Sequence, residues 1–488
     1  MAGNRPLWWW SVALGGGALA GVALPPLGWP PLLWLALVPL WSLGPAAAAL
    51  WAAAAVLVSH RWLLWLHPLD WVGVPLPLSL PVCGLLWLSC ALLAAALVAG
   101  WRALVQRLGP ERLGTALLAA ALWGLGEVLL ARGPLFWIGL GVAALPGDRA
   151  LAGLAGWVGA GGLAALQLLI GWGLTRLLAL SRQRRRLPVR LAVLWLALVL
   201  GLHGLGWQRL QAAEAPGGQG AWQSLLLLQP AIPTRRKFDW DQQQLLLRRL
   251  DGALGQAAAL RADALVLPEG ALPLAQDLPQ PATVELISGG FRQVGTQLRS
   301  TLLRFPPGAQ RASEALDKHR LVPLGEWIPG GELFAWAGLS AVGGVSPGPS
   351  PRLLPRPDGA IAAAICYELA DGTGLAAASR AGAGWLLASA NLDPYPLLLQ
   401  RQFTALAQLR ALESSRWLAS AANTGPTLVV DPSGRVRERL APFAPGSLAV
   451  QLQQRRLVSG YARWGELPLL ALAAAAAAAL IRRRMRQS

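Results

Sequence analysis

The stretch AAAICYELADG, residues 362–372, decides the fold of the second half of the chain. A short apolar run stops at Cys366 and gives way to polar side chains. Such a run is typical of a buried strand in an α/β sheet, and the ends of these strands face the crevice where ligands bind. We therefore predict that Cys366 lies in a pocket at the end of a strand.

Other parts of the same region have the spacing expected of an α/β domain. Apolar residues recur at helical spacing over Asp241–Leu260 and Gln400–Arg416. Charges, prolines and turn signals recur throughout residues 222–455, which predicts one domain over that range. Three further runs resemble buried strands: Ser224–Ile232, Ala262–Gly270 and Gly384–Asn391.

The ends of these predicted strands carry residues that can do chemistry. Glu269, Cys366 and Asn391 occupy equivalent strand-end positions, so a carboxylate and a thiol can share one pocket. Cys366 has no cysteine partner in the domain, because Cys83 and Cys90 lie in an apolar run near the N-terminus. A lone cysteine is either a small buried hydrophobe or a nucleophile, and a nucleophile needs supporting residues.

Lysine usage indicates one such residue. Of 42 lysine and arginine residues only two are lysine, Lys237 and Lys318. An ammonium is compact and can shift its pKa, which a guanidinium cannot imitate. Lys318 lies in a loop rich in proline and glycine, so we select it as the functional lysine. Lys237 follows two arginines and fits an ordinary surface charge.

These three residue types together form a nucleophilic centre. Glu269 would act as general base and take the thiol proton, Lys318 would stabilise the oxyanion, and Cys366 would carry an acyl group as a thioester. The alternative is a cysteine–histidine dyad with His319, the only histidine of the domain. In an extended segment His319 would point away from Lys318, and no asparagine or aspartate partner is evident.

The rest of the chain is too apolar for a soluble fold. The 488 residues are 55% hydrophobic, and their apolar runs are too long for the core of a soluble domain. We predict an integral membrane bundle of about eight helices, with seven in residues 1–210, an eighth at 466–482 and a basic cytoplasmic tail at 483–488. The expected spans lie near 7–24, 30–43, 45–66, 79–100, 113–131, 151–179, 188–207 and 467–481.

The arginines indicate which side of the membrane the domain occupies. Clusters follow the fourth, sixth and eighth predicted spans, and an alternating path puts all three on one face. If that face is cytoplasmic, the domain over 222–455 is extracytoplasmic. The net charge of +18 is then a topology signal with phospholipid head groups as its partner. Nucleic acid is excluded, because the clusters flank membrane helices and no nucleic-acid module is visible.

Three motifs in this order resemble the nitrilase, or carbon–nitrogen hydrolase, superfamily. They are Leu267–Gly270, Asp317–Lys318 with Leu321–Pro329, and Ile365–Glu368. Combined with the flanking spans, they resemble the membrane-bound apolipoprotein N-acyltransferase family of that superfamily. The resemblance covers nearly the whole chain and implies an αββα sandwich over a bundle of eight helices in the bacterial inner membrane, with the sandwich on the periplasmic side.

The resemblance also implies a two-step reaction. Cys366 would take a fatty acyl chain from a phospholipid and pass it to the N-terminal α-amine of a diacylated apolipoprotein. No metal or soluble cofactor is implied. Glu326 would hold Lys318, while Tyr367 and Glu368 would shape the acyl pocket. In the membrane part, a segment containing Glu127, Arg132 and Trp137 also resembles the family and would recognise a head group or substrate.

Other classes of protein fit the same residues less well. A membrane-tethered amidase of the nitrilase type would use the same triad and pass the acyl group to water, but a soluble substrate needs no such bundle. A transporter would place polar or broken helices at the midplane, whereas these spans hold few ionisable groups. For Glu127, the alternative to recognition of a head group or substrate is a structural salt bridge to Arg132.

Overall fold

The computed structural model describes residues 8–70, 73–214, 219–237, 239–272, 277–323, 326, 344–393 and 395–486. Of the motif Leu321–Pro329, only residues 321–323 and 326 lie within these ranges.

The N-terminal part is helical. Its helices are α1 (Trp8–Ala23), α2 (Pro30–Ser42), α3 (Pro45–Ser59), α4 (Leu76–Leu108), α5 (Leu113–Arg132), α6 (Arg149–Ala152), α7 (Ala155–Arg184) and α8 (Val189–Glu214). Among the described residues, four helices are long and apolar enough to cross a membrane: α4, α5, α7 and α8. The chain is therefore a multi-pass membrane protein with long apolar helices.

Apolar side chains on α8 point away from the protein. Leu194, Leu196 and Leu200 are each more than half exposed. In water such a surface would be an aggregation site, whereas in a bilayer it contacts lipid. The exposed face of α8 thus supports its place at the lipid boundary of the bundle.

Two of the predicted spans are interrupted. The stretch 45–66 is not one helix, because α3 ends at Ser59 and Arg61–Leu66 forms a 3₁₀ helix. Arg61 donates to the carbonyl of Val58 at 2.7 Å, which satisfies one of the free carbonyls at this helix end. The stretch 151–179 holds α6 and α7, and α7 bends at Gly159, whose φ of +64° favours glycine.

The second part of the chain folds into two sheets of six described strands each. In the first, the spatial order is β12, β1, β2, β3, β4, β5, and in the second it is β11, β10, β9, β8, β7, β6. The first-sheet strands are β1 (Gln219–Gln229), β2 (Ala264–Val266), β3 (Glu285–Val294), β4 (Gln297–Phe305), β5 (Glu314–Asp317) and β12 (Gly446–Arg455). The second-sheet strands are β6 (Leu353–Leu354), β7 (Ile361–Ile365), β8 (Trp385–Ala390), β9 (Leu418–Ala422), β10 (Leu428–Val430) and β11 (Val436–Arg439).

A run of four leucines in β1 explains the layering. Leu225 and Leu227 belong to the core shared with the second sheet, while Leu226 and Leu228 pack in a separate core with Leu250 of α9 (Trp240–Ala259). Successive side chains of a strand point to opposite faces, so a strand covered on both sides is apolar throughout. Helices α10 (Gly372–Arg380) and α11 (Leu397–Ser414) accompany the second sheet, which gives an αββα sandwich.

The sandwich rests on one end of the helical bundle. Gln402 of α11 donates to the carbonyl of Ser59 at 2.9 Å, and Arg149 of α6 donates to the carbonyl of Ser433 at 3.0 Å. After β12 the chain forms α12 (Gly460–Trp464) and returns along the bundle as α13 (Leu467–Met485). Helix α13 packs against α5 and extends through the arginines at 482–484.

Candidate active site

The nucleophile candidate lies at a sharp turn. Strand β7 ends at Ile365, and the chain turns at once into a 3₁₀ helix over Cys366–Ala370. Cys366 itself has a φ of +54°, a left-handed conformation that costs a residue other than glycine about 1–3 kcal/mol. The rest of the fold holds this strained turn, which projects the thiol from the end of the strand.

Glu269 and Lys318 meet at this turn although 49 residues separate them. Lys318 is 1% exposed and donates from Nζ to Glu269 Oε1 at 2.6 Å. The Cys366 thiol lies close enough to both groups for the charges of Glu269 and Lys318 to act on it. The structure thus brings together the carboxylate, ammonium and thiol that the sequence selected.

Burial and the neighbouring charges set the protonation states. Burial raises the pKa of Cys366 well above its usual value, the Glu269 carboxylate adds to this rise, and Lys318 opposes it. For Lys318, burial acts against the charged form, but the carboxylates of Glu269 and Glu326 outweigh it and raise the pKa well above the usual value. The resting site therefore holds a neutral thiol beside a charged ammonium, so attack by sulfur requires transfer of its proton.

The neighbouring strand fixes the position of Glu269. The backbone amide of Asn391, just after β8, donates to Glu269 Oε2 at 3.0 Å. The side chain of Asn391 is itself held by Asn423 Nδ2, which donates to its Oδ1 at 3.0 Å. On the other side, a Cβ at Gly289 would lie only 2.4 Å from the Cα of Glu269. The strand ends thus approach as closely as a glycine permits.

Glu326 is the second carboxylate on the lysine. Its Oε1 lies 2.9 Å from Lys318 Nζ, and its Oε2 accepts from the amide of Val322 at 2.9 Å. Burial raises the pKa of Glu326, Lys318 lowers it, and the nearby Glu269 raises it. Because Lys318 binds two carboxylates, its ammonium is held in one place with a single hydrogen left for another acceptor.

Glu368 is a clamp between two loops. One oxygen accepts from the amide of His319 at 2.7 Å and lies 2.6 Å from its Nδ1, while the other accepts from Arg352 at 2.6 Å and from the amide of Ile365 at 2.8 Å. Burial would raise the pKa of Glu368, but His319 and Arg352 outweigh it and lower the pKa to about 2. Glu368 therefore ties the loop of Lys318 to the turn of Cys366, and its part in shaping an acyl pocket stays a prediction.

The same contacts bear on the cysteine–histidine alternative. His319 Nδ1 lies against Glu368, a carboxylate that also binds Arg352. Next to Cys366, the base position is filled by Glu269. The geometry therefore favours the glutamate as the proton acceptor.

Tyr367 lines a narrow apolar cavity beside the thiol. Its hydroxyl is hydrogen-bonded to Tyr395, and burial raises the pKa of both phenols. The cavity has a volume of about 20 Å³ and is walled by side chains of the membrane bundle. These include Trp62, Leu63, Leu86, Cys90 and Phe136. Tyr367 thus stands between Cys366 and the membrane part of the chain.

Lys237 was interpreted from the sequence as an ordinary surface charge, and this interpretation is wrong. The side chain is partly buried, with its ammonium 5.5 Å from the centre of the Phe291 ring. Burial lowers the pKa of Lys237, and the charge of Glu269 raises it. The signal available in the sequence was the scarcity of lysine, which applied to Lys237 as well as to Lys318.

The three membrane-domain candidates lie apart from the thiol. Glu127 accepts from the Trp123 indole at 2.8 Å and from the Leu140 amide at 2.7 Å. Arg132 lies 3.8 Å from Asp371, so the expected salt bridge to Glu127 is replaced by a contact with the sandwich. Trp137 packs against His60, with ring centres 5.5 Å apart. Arg132 thus joins the bundle to the sandwich, whereas the contacts of Glu127 and Trp137 lie within the bundle.

Comparisons with known proteins identify relatives over most of the chain. The chain is 52% identical over 450 residues to an apolipoprotein N-acyltransferase of Prochlorococcus marinus strain MIT 9313, covering 90% of this chain and 89% of the relative. It is 49% identical to an apolipoprotein N-acyltransferase of Parasynechococcus marenigrum strain WH8102, and the match covers 88% of this chain and 91% of the relative. A more distant one, from Thermosynechococcus vestitus, is 30% identical over 89% of this chain and 88% of its own.

Family models and solved structures complete the comparison. No protein-family model matches the chain. Saccharomyces cerevisiae Nit3, a member of branch 10 of the nitrilase superfamily, is 14% identical with a TM-score of 0.38 and covers 49% of this chain and 93% of its own. An amidase of Nesterenkonia from the same superfamily is 17% identical with a TM-score of 0.36, and the match covers 53% of this chain and 98% of the amidase. From the identity and coverage of its sequence relatives, the chain belongs to the apolipoprotein N-acyltransferase family.

Proposed function

We propose that the chain transfers a fatty acyl group from a membrane phospholipid to the N-terminal α-amine of a diacylglyceryl-cysteine lipoprotein. The observation that carries this is a buried thiol near a carboxylate and an ammonium, followed in the chain by Tyr367, which lines a cavity walled by membrane helices. Both substrates are lipids, and this cavity places apolar side chains of the bundle next to the residue that follows the thiol.

In the first half-reaction, the sulfur of Cys366 attacks the ester carbonyl of the phospholipid. Glu269 takes the thiol proton, and the free hydrogen of Lys318 binds the oxyanion of the tetrahedral intermediate. When the intermediate collapses, the bond to the glycerol oxygen breaks and Glu269 returns the proton to that oxygen. The products are a lysophospholipid and an acyl thioester on Cys366.

In the second half-reaction, the α-amine of the lipoprotein attacks the thioester carbonyl. Glu269 accepts a proton from the amine, and Lys318 again binds the oxyanion. The carbon–sulfur bond breaks, an amide forms, and the proton passes to the sulfur of Cys366. Glu326 supports both steps by holding Lys318 in place, and Asn391 supports them by orienting Glu269.

The geometry supports an extracytoplasmic position for the sandwich. The C-termini of α5 and α8 and the N-termini of α7 and α13 adjoin the sandwich. The opposite ends of these helices carry the arginine clusters, among them Arg182–Arg186 and Arg482–Arg484. Because positively charged loops stay in the cytoplasm, the sandwich would face the periplasm. The short helices α1–α3 would join α4, α5, α7, α8 and α13 as the remaining spans of a bundle of eight.

The acyl transfer is tested with purified protein in lipid vesicles. We expect wild-type protein supplied with phosphatidylethanolamine and a diacylated lipopeptide to yield a triacylated peptide. Cys366→Ser should yield none, while Cys83→Ser, which removes a buried thiol on α4, serves as the matched control and should retain activity. Free fatty acid in place of the triacylated peptide would indicate an amidase-like hydrolase and contradict the proposal.

The orientation is tested by labelling intact cells with a membrane-impermeant maleimide. Native Cys366 is buried, so an exposed position is needed. Glu438→Cys on β11 should be labelled in intact cells, whereas Gln183→Cys at the end of α7 should be labelled only after the membrane is opened. The reverse pattern would place the sandwich in the cytoplasm and refute this orientation.

A further inference from the structure

The helical bundle contains a second and larger cavity. Its volume is about 330 Å³, in the range of ligand-binding pockets. Apolar side chains of α1, α3, α4 and α5 provide most of its wall. Its one carboxylate, that of Glu127, is already bonded to Trp123 and Leu140. An apolar ligand therefore suits this cavity, which we call the inner cavity.

The inner cavity lies end to end with the narrow cavity beside Tyr367. Three segments of the chain wall both cavities in consecutive stretches. The α3 region supplies Ser59 to the inner cavity and Trp62 to the narrow one, and the segment after α5 supplies Trp137 and Phe136 in the same way. Each segment passes from the wall of one cavity to the wall of the other within a few residues, so the two spaces are neighbours.

Helix α4 gives the clearest measure of this continuity. Leu86 and Cys90 line the narrow cavity, and Ala94 and Val98 line the inner one. These residues follow each other at intervals of four, so they share one face of the helix. A fatty chain that passed Tyr367 would travel along this face of α4 from the narrow cavity into the inner one.

The inner cavity is also bordered by lipid-facing residues. Leu97 and Leu104 of α4 and Leu122 of α5 belong to its wall and are 48%, 37% and 37% exposed. On membrane helices, exposed leucines contact the hydrocarbon of the bilayer. The cavity thus borders the medium from which an alkyl chain would come.

Resting on the proposed function, we propose that the inner cavity receives the distal part of the fatty chain bound to Cys366 and limits its length. The proximal carbons would pass the Tyr367 and Trp62 rings. The terminal carbons would lie against Val98 and Trp101. Each additional methylene buried there would favour binding about fourfold, until the chain meets the end of the cavity.

Two glycines allow this cavity to be filled without disturbing its walls. A Cβ built at Gly126 or at Gly100 has no other atom within 4 Å, and both residues line the inner cavity. Gly126→Leu and Gly100→Leu therefore add an isobutyl group at the wall of the inner cavity without a clash at the Cβ. Gly126 is the less exposed of the two and is the main test. Gly201→Leu and Gly204→Leu on α8 are matched controls, because these exposed glycines also have open space at their Cβ positions.

The experiment compares phosphatidylethanolamines carrying lauroyl or stearoyl chains. The measured quantity is the rate at which acyl mass appears on the protein. We expect Gly126→Leu and Gly100→Leu to lower the stearoyl-to-lauroyl ratio of rates at least about tenfold, since a leucine displaces several methylenes. The lauroyl rate should stay within about twofold of wild type, and the α8 controls should leave the ratio unchanged.

The outcomes separate this inference from the proposed function. An unchanged ratio in both variants, with lauroyl transfer and thermal unfolding as in wild type, would overturn the cavity assignment while leaving acyl transfer intact. Acyl-enzyme that forms but passes its chain only to water would overturn the proposed acceptor. The stearoyl-to-lauroyl ratio of acylation rates would still test the cavity assignment. A protein that never forms acyl-enzyme would overturn both.

Discussion

Replacing Glu368 with glutamine should destabilise the sandwich. One carboxylate oxygen of Glu368 faces two nitrogens of His319 and the amide of Arg320, and the other faces nitrogens of Arg352 and Ile365. In either orientation, the amide group of glutamine would turn its own N–H bonds toward one set of donors. It would also leave the guanidinium of Arg352, which is buried, without its carboxylate.

The size of the effect follows from the pKa of Glu368. The pKa of the Glu368 carboxyl falls from its ordinary value of 4.5 to about 2 in the folded protein. At 1.36 kcal/mol per pH unit, this corresponds to about 3 kcal/mol of folding free energy at neutral pH. For a domain of this size we expect Glu368→Gln to lower Tm by about 6–12 °C.

The direction of the pH dependence is fixed because the folded pKa is lowered. The stabilisation by Glu368 is fully present above pH 4.5 and is lost as the pH falls toward 2. Tryptophan fluorescence should therefore show a constant difference in Tm between wild type and Glu368→Gln from pH 8 to about pH 5, and a smaller one below pH 4.5. The control is Glu438→Gln, an exposed carboxylate on β11. Equal Tm values for Glu368→Gln and wild type at pH 7 would show that the contacts of Glu368 with His319 and Arg352 do not stabilise the fold.

Other predictions concern the catalytic candidates. Lys318→Arg should lower turnover by about 10²–10³-fold while changing Tm by only a few degrees. A planar guanidinium keeps an ion pair but cannot present the same hydrogen to the oxyanion, so full activity of this variant would contradict the role of Lys318. Gly289→Ala should impair turnover by displacing the backbone of Glu269, whereas Gly290→Ala, which meets only side chains, those of Leu303 at 3.1 Å and Leu272 at 3.4 Å, should not. Equal rates for the two variants would exclude the close approach as a requirement for turnover. Glu269→Gln should speed alkylation of Cys366 by iodoacetamide at pH 8 while abolishing transfer, because the carboxylate that adds to the rise in the thiol pKa is gone. Slower alkylation than in wild type would contradict the sign of this effect.

Local patterns were enough to predict the strand ends. The apolar runs before Glu269, Cys366 and Asn391 are buried strands or their continuations. Strands β7 and β8 are parallel neighbours, so Cys366 and Asn391 follow the same edge of the second sheet. Glu269 follows β2 of the first sheet, and the packing of the two sheets brings it to the amide of Asn391. Helices α9 and α11 also lie where helical spacing predicted them, over Trp240–Ala259 and Leu397–Ser414.

Tertiary contacts explain what the sequence did not reveal. The hairpin of β3 and β4 went unrecognised, because its buried glycines and arginines interrupt the apolar alternation. Glu368 was expected in a pocket, but its role depends on Arg352 and His319, which reach it only in the folded chain. Likewise, apolar length alone cannot distinguish one helix from the α3 and 3₁₀ pair, since both bury the same side chains.

In the proposed reaction, a fatty chain becomes bound to the sulfur of Cys366 with help from Glu269 and Lys318. Peptide mapping of the protein after incubation with phospholipid alone detects this acyl-enzyme. We predict an acyl mass on the peptide that contains Cys366, released by neutral hydroxylamine as expected of a thioester, and its loss in Glu269→Gln. An acyl mass on another residue, or equal labelling in Glu269→Gln, would show that the chain is not carried by Cys366 with Glu269 as its base.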